Sequence, residues 1–325
     1  MRRIFVVGCP RSGTTLVQAM IARHPDVFSL RETCFLRAVL GDLELRWGDL
    51  GAHGDRQWYH RAGMARSSGR RLLRQMEQRY SARPPRKPAP RSWPACVRRY
   101  VKLLDAVASR EGRSHWVEKT PDHLLYLDEI AAHVPNAMFV HVLRDGLDVV
   151  ASVADADMHY HQQTAGFRGG IVQWSKRWNR AMELHVARLG RPNNHALCLE
   201  DLIADPDGEW RRLRDFLDLD RNSDLLSRPG WVIADMQSEP WKNAAFSGST
   251  CSPHSKVTAL FGTQSLAWLQ EHLTDYEAIH AAVREQHLTN PAKRERRGEP
   301  AGRRSAAVRK TDGQSRPAER RVTPL

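Results

Sequence analysis

The sequence predicts an α/β fold in which a mostly parallel sheet is flanked by helices. Short apolar runs alternate with helical patterns along the chain, and a glycine-rich turn joins the first run to the first helix. Ala137–Leu143 is almost entirely apolar, as expected of a strand that is buried on both faces. We therefore expect a single domain over residues 1–290, followed by a tail over residues 291–325.

The elements follow in order from apolar spacing and from turn residues. Strands are predicted over Ile4–Gly8, Val27–Leu30, His115–Lys119, Ala137–Leu143 and His195–Leu199. Helices are predicted over Gly13–Arg23, Cys34–Leu45, Val97–Ser109, Leu124–His133, 144–154, Pro206–Leu217 and Ser265–Gln286. Proline supports two of these boundaries: His24-Pro25 ends the first helix, and Pro121 occupies a first helical position.

The net charge of +13 is concentrated in two segments of the chain. Asp55–Lys102 holds 14 basic and two acidic residues, and Lys293–Leu325 holds 11 basic and four acidic residues. The first segment overlaps an insert at about residues 48–95, which has little sustained pattern and ends in the Pro/Arg-rich stretch RPPRKPAPRSWP. That stretch is predicted to be an extended, exposed loop. The second segment has almost no large apolar residues, so the tail over residues 291–325 is predicted to be disordered.

Composition also excludes several classes of protein. No run of eighteen apolar residues occurs, so we expect no transmembrane segment. The apolar stretch Ile4–Val7 is too short for a signal peptide, which predicts a cytoplasmic protein. The five cysteines are scattered without a C-x-x-C pair, which argues against a disulfide framework or a zinc site.

The turn after the first strand has the sequence G8-C-P-R-S-G-T-T15. Its spacing is that of a Walker A loop, except that Thr14 replaces the lysine. Backbone N–H groups and a helix N terminus in this arrangement bind an anion, and Arg11 can supply the missing positive charge. The sheet is therefore predicted to be of the P-loop type. The predicted anion-binding residues are Arg11, Ser12, Gly13, Thr14 and Thr15.

Pro10–Leu16 resembles the 5′-phosphosulfate loop of the sulfotransferases that use 3′-phosphoadenosine-5′-phosphosulfate (PAPS). The stretch that follows, MIARHPDVFSLRETCFLRAVL, resembles the tyrosylprotein-sulfotransferase branch of that family and its bacterial relatives. The resemblance covers roughly Arg3–Leu45 and Trp116–Leu217. It implies transfer of a sulfuryl group from PAPS, as co-substrate, to an acceptor hydroxyl, without a metal ion.

A second anion site is predicted at Arg144 and Ser152. Arg144 stands at the carboxyl end of a predicted parallel strand, where ligands bind in such sheets, and Ser152 follows two helical turns later. The pair resembles the family's 3′-phosphate motif. The alternative is a surface pair between Arg144 and Asp145.

Glu32 and Lys119 are the candidate catalytic residues, together with Arg11. The resemblance implies that Glu32, which follows the second strand, is the base for the acceptor hydroxyl. It also implies that Lys119, in a Lys-x-Pro sequence, stabilises the transition state with Arg11. The alternatives are a helix-capping or surface role for Glu32, and a salt bridge from Lys119 to Glu118 or Asp122.

The match to the family has three gaps. Leu199 stands where the family often has tyrosine in a Tyr-Glu-Asp-Leu sequence near the adenine. Asp155 and Ala156 occupy the stretch in which the animal enzymes carry a further basic residue. The family's late serine and lysine contacts with the donor have no defined counterpart: they are expected within Ser247–Lys256, and the sequence does not choose among the candidates.

Two other functions compete with sulfuryl transfer. A P-loop kinase is disfavoured because Thr14 replaces the lysine, and the basic segments suggest a protein that binds nucleic acid nonspecifically. The acceptor remains open among glycans, phenols, peptide tyrosines and small metabolites. The basic insert favours an anionic acceptor, and its alternative is a solvated arginine-rich loop; the oligomeric state is open as well.

Overall fold

The structure is a computed structural model, which describes residues 1–49, 62–81, 87–160, 169–220 and 255–289. The predictions for the tail and for part of the insert lie outside these residues. The described part contains five strands: β1 (Arg2–Gly8), β2 (Val27–Ser29), β3 (His115–Lys119), β4 (Ala137–Leu143) and β5 (Asn194–Cys198).

The five strands form one parallel sheet in the order β2-β3-β1-β4-β5. The first strand lies between β3 and β4, with Val6 opposite Lys119 on one side and Val140 on the other. All carboxyl ends therefore point to the same edge of the sheet, where ligands bind in open α/β folds. The predicted fold class, an α/β domain with a P-loop-type, mostly parallel sheet, is confirmed.

Thirteen helices are described around this sheet. They are α1 (Thr14–Ala22), α2 (Phe35–Leu40), α3 (Leu43–Trp47), α4 (Ser67–Tyr80), α5 (Trp93–Arg110), α6 (Leu127–His133), α7 (Gly146–Tyr160), α8 (Gly170–Val186), α9 (Leu199–Ala204), α10 (Pro206–Leu217), α11 (Ser255–Leu260), α12 (Thr263–His272) and α13 (Tyr276–Thr289). A short 3₁₀ helix, Pro121–Tyr126, joins β3 to α6.

Alternation along β1 divides the core into two layers. Phe5 and Val7 belong to the larger layer, which also contains Trp116 and the buried residues of α5 and α8. Ile4 and Val6 belong to the smaller layer, which α1 and α10 cover. Both faces of the central strand are thus buried, and the candidate site lies at the carboxyl ends of the strands.

The insert contains a helix that the sequence did not predict, and the last two residues of the stretch predicted as a loop open α5. Ser67–Tyr80 forms the four-turn helix α4, and α5 begins at Trp93. The buried residues Leu73 and Met76 form a narrow apolar stripe that packs toward α2 and the core. The stripe is difficult to recognise in the sequence, because arginines surround it and only a small share of the helix surface is apolar.

Two helices that were predicted as continuous are each interrupted. Gly41 ends α2 in a left-handed conformation, with φ +71°, so that Cys34–Leu45 divides into α2 and α3. The predicted helix Ser265–Gln286 divides at Leu273. There the side chain of Asn179 donates to the carbonyl of His272 and accepts from the N–H of Thr274, so a tertiary contact stabilises the break.

Among the described residues, no helix combines the length and the apolar character that crossing a membrane would require.

Candidate active site

The phosphate loop is an alternating turn between β1 and α1. Arg11 and Gly13 have left-handed backbones, with φ +76° and +91°, and Ser12 lies between them. Such alternation turns successive N–H groups toward one side of the chain, which suits an anion. A Cβ at Gly13 would lie 2.8 Å from Leu199 Cδ1, so the loop packs closely against the residue that follows β5.

Ser12 carries a second sign of a ligand. The residue is fully buried, and its Oγ has no hydrogen-bond partner among the described residues. Buried hydroxyls are normally paired, so an unpartnered one inside an anion-binding turn fits a bound phosphate or sulfonate oxygen. Thr14, which is also buried, opens α1 beside it.

The two predicted anion sites lie against each other. Arg11 Nε donates to Ser152 Oγ at 3.1 Å, and Arg144 Nη1 donates to the carbonyl of Arg11 at 3.1 Å. Arg144 also lies 3.8 Å from the carboxylate of Asp148, one turn into α7. The loop after β1 and the helix after β4 are therefore in direct contact, which brings the two predicted anion sites together.

The Arg144 turn is supported by residues that the sequence did not single out as site residues. Trp178 Nε1 donates to the carbonyl of Arg144 at 3.0 Å, and the N–H of Asp145 donates to Glu200 Oε1 at 3.0 Å. Tyr276 of α13 donates its hydroxyl to the other oxygen of Glu200 at 2.6 Å. A tyrosine distant in sequence thus contacts the Glu200 segment, in which Leu199 replaces the family's tyrosine.

The predicted catalytic residues Glu32 and Lys119 form an ion pair. Lys119 Nζ lies 2.6 Å from Glu32 Oε2, and the lysine side chain is 2% exposed whereas that of the glutamate is 26% exposed. Parallel pairing of β2 with β3 brings the two segments side by side.

Cys34 is the other neighbour of Glu32. Its Sγ lies 3.6 Å from Glu32 Oε1. Burial and the adjacent carboxylate both raise the pKa of the Cys34 thiol, so the group is a neutral thiol at physiological pH. It contributes a weak donor to Glu32 and no negative charge.

The strand order places three basic side chains in a row at the carboxyl ends of neighbouring strands. Lys119 ends β3, Arg11 follows β1 and Arg144 follows β4, and these strands are neighbours in the sheet. Adjacent strands lie about 4.8 Å apart, so the row spans about 10 Å at backbone level. That length suits a ligand with anionic groups at both ends.

The late segment contributes one described side chain. Lys256 of α11 forms a salt bridge with Asp155, which lies one turn beyond Ser152 on α7. The carboxylate at position 155, a departure from the animal enzymes, is therefore paired with a late lysine. Residues 247–254 lie outside the described residues.

A separate polar cluster lies where α13 meets β5 and α9. Ligand atoms of Cys198, Asp201 and His280 lie within 4.8 Å of one another, as in a potential metal group. The carboxylate of Asp201 already binds His280 Nε2 at 2.8 Å and the guanidinium of Arg284. Burial raises the pKa of Asp201, but the hydrogen bonds from Arg284 and His280 outweigh it and lower the pKa, as expected of a contact that anchors the helix.

Known proteins resemble the chain over most of its described length. Protein-tyrosine sulfotransferase A of Caenorhabditis elegans is 25% identical over 244 residues, which cover 72% of this chain and 54% of that protein. Protein-tyrosine sulfotransferase of Drosophila melanogaster is 27% identical over 237 residues, which cover 71% of this chain and 41% of that protein. The matched region is thus about half the length of these relatives.

Among solved structures, the sulfotransferase domain from the curacin biosynthetic pathway is 15% identical with a TM-score of 0.46, and the match covers 83% of this chain and 98% of that one. The family model described as "Sulfotransferase family" matches residues 3–223. That range contains β1 to β5, the phosphate loop, the Glu32–Lys119 pair and the Arg144 turn. The resemblance recognised in the sequence is confirmed: this chain belongs to the sulfotransferase family.

Proposed function

We propose that this protein transfers a sulfuryl group from PAPS to an acceptor hydroxyl. The observation that carries the proposal is the Glu32–Lys119 ion pair, which stands at the same sheet edge as the anion site of Arg11 and Arg144. A base, a buried cation and an elongated anion site are the parts that sulfuryl transfer requires.

The donor would occupy the row of basic side chains. Ser12, Gly13, Thr14 and Thr15 would hold the 5′-phosphosulfate end, and the unpartnered hydroxyl of Ser12 supports that placement. Arg144 and Ser152 would hold the 3′-phosphate. Because Arg11 contacts Ser152 and the Arg144 side chain donates to the Arg11 carbonyl, the two ends are held in a fixed relation before the donor binds.

The reaction would exchange one sulfur–oxygen bond for another. The acceptor oxygen attacks sulfur while Glu32 takes the hydroxyl proton, and the bond between sulfur and the bridging phosphate oxygen breaks. The electron pair stays on that oxygen, so the leaving group is 3′-phosphoadenosine-5′-phosphate (PAP). Lys119 and Arg11 would stabilise the growing negative charge.

The resting ion pair prepares both residues for these roles. A lysine that is 2% exposed needs a counterion, and Glu32 supplies it. Bound donor offers Lys119 a second anionic partner, which weakens its hold on Glu32. The carboxylate, which is partly exposed, can then accept the proton of an incoming hydroxyl.

The acceptor is proposed to be anionic. Helices α4 and α5 expose Arg71, Arg74, Arg98 and Lys102, and α4 packs on α2, the helix that follows the Glu32 segment. The curated relatives are named as protein-tyrosine sulfotransferases, which makes a tyrosine hydroxyl the first acceptor to test. The alternative, a solvated arginine-rich surface, predicts no preference for charge.

The test combines donor binding with turnover. PAP is expected to raise the melting temperature more than AMP or ATP–Mg²⁺ does, by the equivalent of about 2.7 kcal/mol at 100 times its Kd. Labelled PAPS is then supplied with tyrosine peptides that differ in their acidic residues, at low and high salt. A larger stabilisation by ATP–Mg²⁺ would indicate a kinase instead, and equal rates for acidic and neutral peptides would remove the preference for anions.

Glu32→Gln separates chemistry from binding. The change keeps the shape of the side chain but removes the base, so PAP affinity should stay near normal while turnover falls by about 10²–10⁴-fold. Glu183→Gln is the matched control, because Glu183 pairs with Arg180 on the exposed side of α8. Turnover within a few-fold of wild type in Glu32→Gln would exclude Glu32 as the base.

A further inference from the structure

Glu118 is a fully buried carboxylate that the proposed chemistry does not use. It precedes Lys119 on β3 and has no exposed surface. A buried charge is costly unless hydrogen bonds surround it, so its partners identify what the residue does.

Glu118 Oε1 accepts three hydrogen bonds. Thr33 donates its hydroxyl at 2.8 Å and its backbone N–H at 3.3 Å, and Thr120 donates its hydroxyl at 2.6 Å. The hydroxyl of Thr120 in turn accepts the N–H of Cys34 at 3.1 Å. Oε1 of Glu118 thus binds the backbone N–H of Thr33 directly and that of Cys34 through Thr120, and these are the two residues that follow Glu32.

The N–H groups of the next two residues, Phe35 and Leu36, also bind side chains that contact Glu118. The N–H of Phe35 donates to Thr33 Oγ1 at 3.3 Å, and the N–H of Leu36 donates to His123 Nε2 at 3.3 Å. His123 Nδ1 lies 2.8 Å from Glu118 Oε2. The approach is bent for a hydrogen bond, so this last contact is mainly electrostatic.

The N–H that Nε2 accepts fixes the orientation of the His123 ring. Its Nδ1–H faces the carboxylate of Glu118. Burial raises the pKa of Glu118, but the adjacent His123 and the hydrogen bonds from Thr120 and Thr33 outweigh it, and the pKa is lowered. The carboxylate is therefore ionised and remains the acceptor for this segment.

The segment needs such support because its backbone is strained. Cys34 has a left-handed backbone, with φ +51°, which is unfavourable for a residue other than glycine. Such a conformation costs about 1–3 kcal/mol and persists only where surrounding contacts enforce it. Glu32 lies two residues before this turn, so its position depends on the same contacts.

We propose that Glu118 is a positioning residue that holds Glu32 opposite Lys119 by binding the four amides of residues 33–36, directly and through Thr33, Thr120 and His123. The two neighbours on β3 then act together: Lys119 binds the carboxylate of Glu32, and Glu118 fixes the backbone that carries it. The catalytic consequence rests on the proposed function of Glu32 as the base.

Glu118→Gln tests this role. The amide keeps one oxygen acceptor, but its NH₂ group meets the Nδ1–H of His123 or a threonine hydroxyl, so part of the network is lost. We expect kcat to fall about 10- to 100-fold, as for a displacement of about 1 Å at a reacting group, with PAP affinity within two-fold of wild type. If Glu118→Gln does not fold, Thr120→Val is used instead. It removes one link of the network and should show the same pattern more weakly.

Two measurements distinguish positioning from general destabilisation. In a Glu32→Gln background, Glu118→Gln should lower kcat no further, because it acts through Glu32. Glu77→Gln is the control for loss of a buried ion pair: Glu77 binds Arg99 between α4 and α5 and should lower the melting temperature without lowering kcat. An additive loss of kcat in the double variant would overturn the proposal.

Hydrogen exchange supplies a readout that does not depend on turnover. Glu118→Gln should speed exchange of the amides of residues 33–36 by at least ten-fold, whereas Glu77→Gln should leave them unchanged. Unchanged exchange in Glu118→Gln would overturn the proposal even if the enzyme is active. If wild type transfers no sulfuryl group, the proposed function fails, and the exchange result still decides whether Glu118 holds this segment.

Discussion

A buried pair of histidines makes the stability of this fold sensitive to mild acid. His141 lies in the middle of β4 and His185 lies on α8, and their Nδ1 atoms are 3.0 Å apart. Asn194 fixes the proton positions, because its Nδ2 donates to the carbonyl of Pro192 and its Oδ1 faces His141 Nε2 at 2.9 Å. His141 therefore carries its proton on Nε2 and accepts at Nδ1 from His185.

A further proton is strongly disfavoured on either ring. Burial, followed by the charge of Arg188, lowers the pKa of His141 from 6.5 to about 4 even though Asn194 favours protonation. Burial and the neighbouring His141 lower the pKa of His185 as well. The unfolded chain binds these protons below about pH 6.5 and the folded chain does not, so stability is full above that pH and falls as the pH decreases toward 4.

The magnitude follows from this difference in proton binding. A shift from 6.5 to about 4 at His141 corresponds to about 3 kcal/mol lost between pH 7 and pH 4. Between pH 6 and pH 5, His141 alone removes about 1.2 kcal/mol, and His185 adds to the loss in the same direction. Carboxylates of ordinary pKa titrate below this window, whereas His115, whose pKa burial also lowers, adds to the loss within it.

His185→Asn separates the two rings. Asparagine places a donor near the former Nδ1 but does not titrate, so His141 keeps a partner. Urea unfolding followed by tryptophan fluorescence at pH 7, 6 and 5 gives the free energy of unfolding at each pH. The variant should be less stable at pH 7 because of the smaller side chain, and it should lose less stability than wild type between pH 6 and pH 5, because one of the two titrating rings is gone. Parallel pH profiles for the two proteins would refute the reasoning.

Two further predictions concern the anion site. Arg144→Ala should weaken PAP binding by about 1.5–3 kcal/mol and leave AMP binding nearly unchanged, because only PAP carries the 3′-phosphate; calorimetric titration of both nucleotides measures this, and equal losses would place the arginine elsewhere. Gly13→Ala should destabilise the fold and abolish PAP binding, since its Cβ would meet Leu199 at 2.8 Å in a left-handed backbone; a variant that retains wild-type PAP affinity would show that the loop tolerates another conformation.

Element bounds were predictable where local sequence and tertiary structure agree. Ala137–Leu143 and Pro206–Leu217 have the predicted ends, because an apolar run between polar flanks defines the strand and a proline opens the helix. Helix α4 was not predictable in this way, because its apolar stripe of Leu73 and Met76 is short and surrounded by arginine. The break at Leu273 depends on Asn179, some ninety residues earlier, which no local pattern can reveal.

The candidate site was likewise predictable where local sequence defines it and not where it depends on tertiary contacts. The phosphate loop and Arg144 could be found from spacing, since each follows a strand and opens a helix. The contact between Glu32 and Lys119 depends on β2 lying beside β3, and this neighbour relation is set by the sheet order. Glu118 was considered only as a partner for Lys119; a glutamate within a buried strand followed by threonine was the signal that could have indicated a buried polar network.

The central place of β1 makes the two halves of this edge separable for engineering. The residues proposed for proton transfer stand on the β2–β3 side, and those proposed for the adenosine 3′-phosphate stand on the β4–β5 side, with the loop between them. A library restricted to α2, α4 and α5 leaves the nucleotide half untouched. Retained PAP affinity can therefore serve as an internal standard of folding while such a library is screened for new acceptors.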